Sequence, residues 1–228
     1  MRFPNGWVGG SALIAGPVLL LVGTLLRSPF HFFFPDQLRA VAEHPTLVRA
    51  AYTAFLAGNV VLWAAVAHLV HRVGTRWVAW GGVLVTVGLF ARTFHAGIDQ
   101  AAFNATKQLG VEGAAELVAN GYGELHLFSF LSFTIMFGWF VLAFGVYRAK
   151  ALGKTRSVAA ATTGLLPLGV LKGTELLSIV GTVGLCVALV PLGVLVLREQ
   201  PRLTRRNVLT AVPVVLGLGA LAVVSSLG

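Results

Sequence analysis

WVAWGGVLVTVGLFARTFHAGIDQAAF, residues 77–103, decides what kind of chain this is. From Trp77 to Ala91 no side chain is charged; then Arg92, His95 and Asp99 arrive together. An apolar run of this grade is a membrane-spanning helix unless something argues otherwise. Similar runs recur along nearly the whole chain of 228 residues, which is 57% hydrophobic and 11% charged. The mean hydropathy is +0.84, far above that of a soluble domain. The fold class is therefore all-α, a polytopic transmembrane helix bundle, read as one integral membrane domain over residues 1–228.

At about 20 residues per crossing, seven spans fit: about 8–28, 50–71, 77–98, 124–147, 157–171, 174–197 and 207–227. The fifth is short and contains Pro167, so a tilted or re-entrant segment is its alternative form. Residues 157–197 cannot be one helix, because at about 1.5 Å per residue it would be near 60 Å long. The Lys172-Gly173-Thr174-Glu175 stretch supplies the turn. Arg2 precedes the first span with no small-residue cleavage site after it, so that span reads as a retained helix.

The net charge of +9 is not a nucleic-acid signature. The basic residues lie in short connectors, with no stripe interleaved with aromatics to follow a phosphate backbone. Arg2 and the connectors around 72–76, 148–156 and 198–206 hold eleven of the seventeen Lys and Arg, and one acid, Glu199. Seven spans place all of these on one side, the cytoplasm, with the N-terminus inside and the C-terminus outside. The expected location is a bacterial plasma membrane. Cys186 lies in an apolar run and reads as a packing residue.

Two connectors fall outside. In residues 31–49 Asp36 is placed to cap a short helix ending at His44-Pro45. Residues 101–121 read as a short amphipathic segment. Both resemble lids, or interfacial helices that anchor the bundle.

Around a helix at about 100° per residue, Arg92 and Asp99 share a direction and His95 lies about 60° away. An ionisable group at Arg92's depth costs about 2.5–3.5 kcal/mol unless it is paired or reaches water. Partners at the same level are Glu124 and His126 at the start of the fourth span, Arg49, Tyr52 and Asn59 on the second, and His31 after the first. His68 and His71, at the opposite end of the second span, read as interfacial neighbours of Arg72. The outer-leaflet half is thus expected to hold a polar pocket. Asp99, Glu124, His95, Arg92 and His126 are its candidate catalytic residues, and Tyr52, Asn59, Arg49, His31 and Phe94 its candidate substrate contacts.

Three readings follow. The first is a metal-free acid–base enzyme acting on a lipophilic small molecule. Asp99 or Glu124 delivers a proton, Arg92 stabilises negative charge, and a histidine relays. The aromatics, fifteen Phe and five Trp, suit an isoprenoid-like substrate and cationic intermediates. In size, span number and scarcity of membrane-embedded acids the chain resembles the small seven-helix integral membrane terpene cyclases. That resemblance implies a proton-started cyclisation or isomerisation. It assigns no individual residue, and the last span, Val208 to Gly228, contains no acid. The second reading is a Zn, non-haem Fe or haem site, since His95 and Asp99 have i, i+4 spacing and His126 or His31 can complete the set. The third is a non-enzymatic transporter, immunity protein or sensor. Membrane lipids and a lipophilic ligand are the expected partners in each case.

Overall fold

The computed structural model describes residues 5–31, 36–123, 127–171 and 175–201, with Pro213, Gly217, Ala220 and Leu221 beyond them. Every regular element among the described residues is helical. They are α1 (Gly6–Arg27), α2 (Asp36–Glu43), α3 (Pro45–Val73), α4 (Arg76–Gly123), α5 (Leu127–Arg148), α6 (Lys154–Thr162), α7 (Leu166–Leu171) and α8 (Glu175–Arg198), with a 3-10 turn over Thr163–Leu165 between α6 and α7. Among the described residues five helices, α1, α3, α4, α5 and α8, are long and apolar enough to cross a membrane. The chain divides into two compact units, Met1–Arg198 and Glu199–Gly228. The expected last span, 207–227, lies almost wholly outside the described residues.

Local chemistry sets the helix ends. Asn5 caps α1, its Oδ1 accepting from the Val8 N–H at 2.9 Å, which satisfies one of the first-turn donors. Pro45 opens α3 at a position where no N–H is needed, and Gly74 closes it in the left-handed region at φ 65°. The third expected span runs on well past residue 98. No helix breaker intervenes before Gly110, where φ 70° and ψ 179° interrupt α4, so the connector expected over 101–121 is largely a continuation of α4.

The expected fifth span is not one regular helix. Pro167 has no N–H to offer the Thr163 carbonyl four residues back. That carbonyl instead accepts from the Leu166 N–H, an i→i+3 bond that tightens the backbone into the 3-10 turn.

Within the first unit α8, α1, α3, α4, α5 and α6 contact one another in that order and close into a ring, because α6 packs on α8 again. Glycines at heptad spacing build two of its seams. On α1, Gly9, Gly16 and Gly23 recur every seven residues, opposite Ala51, Gly58 and Ala65 at the same interval on α3. A Cβ on Gly58 would stand 2.7 Å from the Leu20 nitrogen, and one on Gly23 would stand 2.6 Å from the Ala51 oxygen. On α4 and α5 the residues are Gly81 and Gly88 against Gly138 and Gly145. A Cβ on Gly138 would meet the Val85 nitrogen at 2.7 Å, and one on Gly145 the Val78 nitrogen at 2.8 Å. These helices touch backbone to backbone, as membrane helices do when small residues line their seam.

A separate apolar cluster forms where α1 ends and α3 begins. Leu38 and Val41 of α2 pack with Val48, Phe103, Ala114 and Val118. Thus α2 sits against α3 and both sides of the Gly110 break, covering this end of the ring.

Candidate functional site

Beneath α2 the end of α1 and one face each of α3 and α4 bring charge together. Arg27 is 6% exposed. Its guanidinium carbon lies 4.8 Å from the centre of the Tyr52 ring and 4.4 Å from that of Phe55. Arg92 approaches Phe55 from α4, at 5.4 Å. One aromatic ring therefore lies within cation–π range of two guanidinium groups. Asp99, two turns beyond Arg92, lies within electrostatic reach of both arginines, and its Oδ1 accepts a hydrogen bond from Gln37 Nε2 of α2 at 3.3 Å. Tyr52 is held between Arg27 and the edge of Phe103, whose ring centre is 4.8 Å away.

Arg92 and Asp99 face the same side, as the helical angle requires. His95 does not join them. Its Nε2 is 3.2 Å from Ser132 Oγ on α5, and the Ser132 hydroxyl donates its one proton to the Phe128 carbonyl at 2.7 Å. Phe94 also turns to α5, stacked on Phe128 with ring centres 4.1 Å apart. The 60° offset around α4 is enough to move His95 from the α1/α3 side to α5. The i, i+4 pair of His95 and Asp99 thus points at two different neighbours. Among the described residues no three His, Cys, Asp or Glu side chains converge as a metal set.

Asn59 is 3% exposed. Its Nδ2 donates to the Leu89 carbonyl at 3.1 Å and to Thr93 Oγ1 at 3.2 Å, so it ties α3 to α4 just below the arginines. Asn59→Leu is expected to lower stability by about 1 kcal/mol, the usual net worth of such bonds, without altering the charge cluster. Denaturant titration in detergent measures it.

His31 is exposed and lines a small recess with Arg27, Gln37 and Tyr52. Arg49 has Nε and Nη2 enclosed with no hydrogen-bond partner among the described residues. Glu124 and His126 lie outside the described residues. Two members of the site, Arg27 and Gln37, are not among the residues singled out from sequence. Arg27 carried a usable signal: it is a lone cation closing an apolar span on the side where the acids gather.

A cavity opens below the cluster, near the middle of the ring. Arg92 and Asn59 bound it on one side, with Leu20, Leu62, Trp139, Thr163 and Leu166 around the rest. It is small, with room for about one water. Arg92 Nη2 is fully enclosed and has no hydrogen-bond partner among the described residues. No family model, curated protein or solved structure matches the chain.

Proposed function

We propose that this chain is an integral membrane protein of seven spans, N-terminus inside, which binds a lipophilic small molecule in the half of the bundle facing the outer leaflet. The single observation that carries the reading is the convergence of Arg27, Tyr52, Arg92 and Asp99 from three helices of a membrane-grade bundle, under the cover of α2. Intramembrane charge is expensive, and its usual reason is function. The basic connectors 72–76, 148–156 and 198–206 follow α3, α5 and α8, which supports placing the opposite end, with α2, outside.

The chemistry that suits these parts is acid–base work on the bound molecule. Asp99, a carboxylate at rest, takes up a proton and delivers it to the bound molecule, the guanidinium groups steady negative charge, and the aromatic faces accept a cationic substrate carbon. Cyclisation or isomerisation of an isoprenoid-like compound is one reaction of this kind.

Mass spectrometry of organic extracts from purified protein tests the reading. A small molecule should be retained by the wild type and by His71→Ala, and lost from Arg92→Ala and Asp99→Ala. Equal extracts from all four overturn it. Near-stoichiometric zinc or iron, lost with His95→Ala, would instead favour a metal site.

A further inference from the structure

We infer that the α4–α5 seam, at its end away from α2, binds an anionic phospholipid. The headgroup docks on Arg76, Arg148 and Lys150, and an acyl chain runs along Phe144 and Phe137. The site lies at the opposite end of the bundle from the charge cluster and stands independently of it.

The seam sets the shape. Glycines let α4 and α5 meet backbone to backbone: a Cβ on Gly81 would run into the Leu142 backbone, and one on Gly145 would stand 2.8 Å from the Val78 nitrogen. Large side chains are left to the flanks. On one flank the Trp77 and Phe144 rings meet edge to face, 5.3 Å between centres. Arg148 lies over the same Phe144 ring at 5.9 Å, within cation–π range. At about 100° per residue, Phe137, Phe144 and Arg148 fall within about 40° of one another around α5. Phe137, Phe144 and Trp77 are all exposed, and among the described residues α5 is the least buried of the five long apolar helices. An open row of aromatic faces thus ends in an arginine. Phe137 lies about 16 Å along the helix from Arg148, close to half the hydrocarbon thickness of a bilayer, so the row matches one acyl chain of one leaflet. Trp77 and Tyr147 are residue types of the headgroup level.

Charge sets the class of headgroup. Arg76 opens α4, Arg148 ends α5 and Lys150 follows it, and all three are exposed. Lys150 has φ 54°, the left-handed conformation that glycine adopts at least cost. The Ala151 N–H, bonded to the Val146 carbonyl at 3.0 Å, closes the helix around it. A lysine in that position keeps a third cation at the helix end. α5 contains no Asp or Glu, and neither does α4 before Asp99. On these two helices a headgroup of net negative charge meets cations alone, whereas the ammonium of a zwitterionic lipid would bring a like charge.

Native mass spectrometry of the purified full chain in a neutral detergent tests the site, with phosphatidylglycerol and phosphatidylcholine of the same acyl chains as probes. Phosphatidylglycerol should stay bound and phosphatidylcholine should not. A basic residue near an anionic headgroup is worth about a fivefold change in affinity, so Arg76→Gln/Arg148→Gln should weaken retention about 25-fold. Arg148→Lys keeps the charge and should keep the lipid. Lys107→Gln, which removes an exposed cation from the other end of α4, should change nothing. Thermal midpoints of the variants, expected to match the wild type because these side chains are exposed, separate lost binding from lost folding. Equal retention of the two lipids, or equal loss from Lys107→Gln and Arg148→Gln, would overturn the inference. Displacement by equimolar inorganic phosphate would replace the lipid with a free anion. A dimer free of lipid would give this flank to a second copy of the chain instead.

Discussion

Gly88→Leu should prevent the α4–α5 pair from closing, at a cost of at least about 3 kcal/mol. A Cβ at this position already stands 2.9 Å from the Ile135 Cα and from the Thr134 carbonyl carbon. Those are backbone atoms, which cannot rotate away as a flexible side chain would. Overpacking a well-filled core ordinarily costs about 1–3 kcal/mol, and here the whole of α5 has to move. Its own seam glycines, Gly138 and Gly145, fix it equally closely against Val85 and Val78. Even Gly88→Ala should therefore destabilise, although alanine is the better helix former by about 1 kcal/mol. Gly97, on the same helix, has open space where its Cβ would be, and Gly97→Ala should be neutral or stabilising. Denaturant titrations of the three variants in one detergent separate the two effects. Equal tolerance at positions 88 and 97 would mean that the seam does not hold the bundle.

The heptad glycines were open to reading in the sequence. Gly9, Gly16 and Gly23, or Gly81 and Gly88, are regular enough to mark helix seams, whereas apolar periodicity gives little in chains this uniformly hydrophobic. What is apolar on every side does not reveal which side is packed. The long apolar runs sufficed to place α1, α3, α4, α5 and α8, because their lengths match a bilayer. The extent of α4 past Asp99 was harder to see. Residues 99–109 are polar enough to read as connector, yet they contain no breaker, and helix propensity carried the element on to Gly110. The break at Thr163 depends on Pro167, which was visible, and on the fit of Thr163 against α8, where its Oγ1 is 3.4 Å from the Gly181 carbonyl. At the site the helical angle correctly put Arg92 with Asp99. It could not say that 60° would carry His95 to Ser132, since that depends on where α5 lies. Arg27 and Gln37 come from elements distant in sequence, and helical geometry within α4 has no access to them.

Asp99→Ala should be more damaging than loss of either arginine alone, at about 3 kcal/mol, and a second substitution should repair it. Removing the carboxylate leaves Arg27 and Arg92 both beside Phe55 without the charge of Asp99 near them. Their distances to the Phe55 ring, 4.4 and 5.4 Å, put the two guanidinium groups within about 10 Å of each other, where at an effective dielectric of about 20 two like charges repel by at least roughly 1.7 kcal/mol. Breaking a buried pair from one side typically costs about 3–5 kcal/mol, because the partner stays charged and enclosed. Gln37 adds to the loss, since its Nε2 donates to Asp99. Replacing Arg92 by glutamine in the same chain removes the repulsion, so Asp99→Ala/Arg92→Gln should recover most of the stability. The coupling in the double-mutant cycle should reach about 2–3 kcal/mol, well above the few tenths seen for independent sites. Arg72→Gln, at the other end of α3, should show no coupling with Asp99→Ala. Additive effects of Asp99→Ala and Arg92→Gln would mean that the carboxylate does not balance the arginines. The site would then lose the electrostatic logic that joins its three helices.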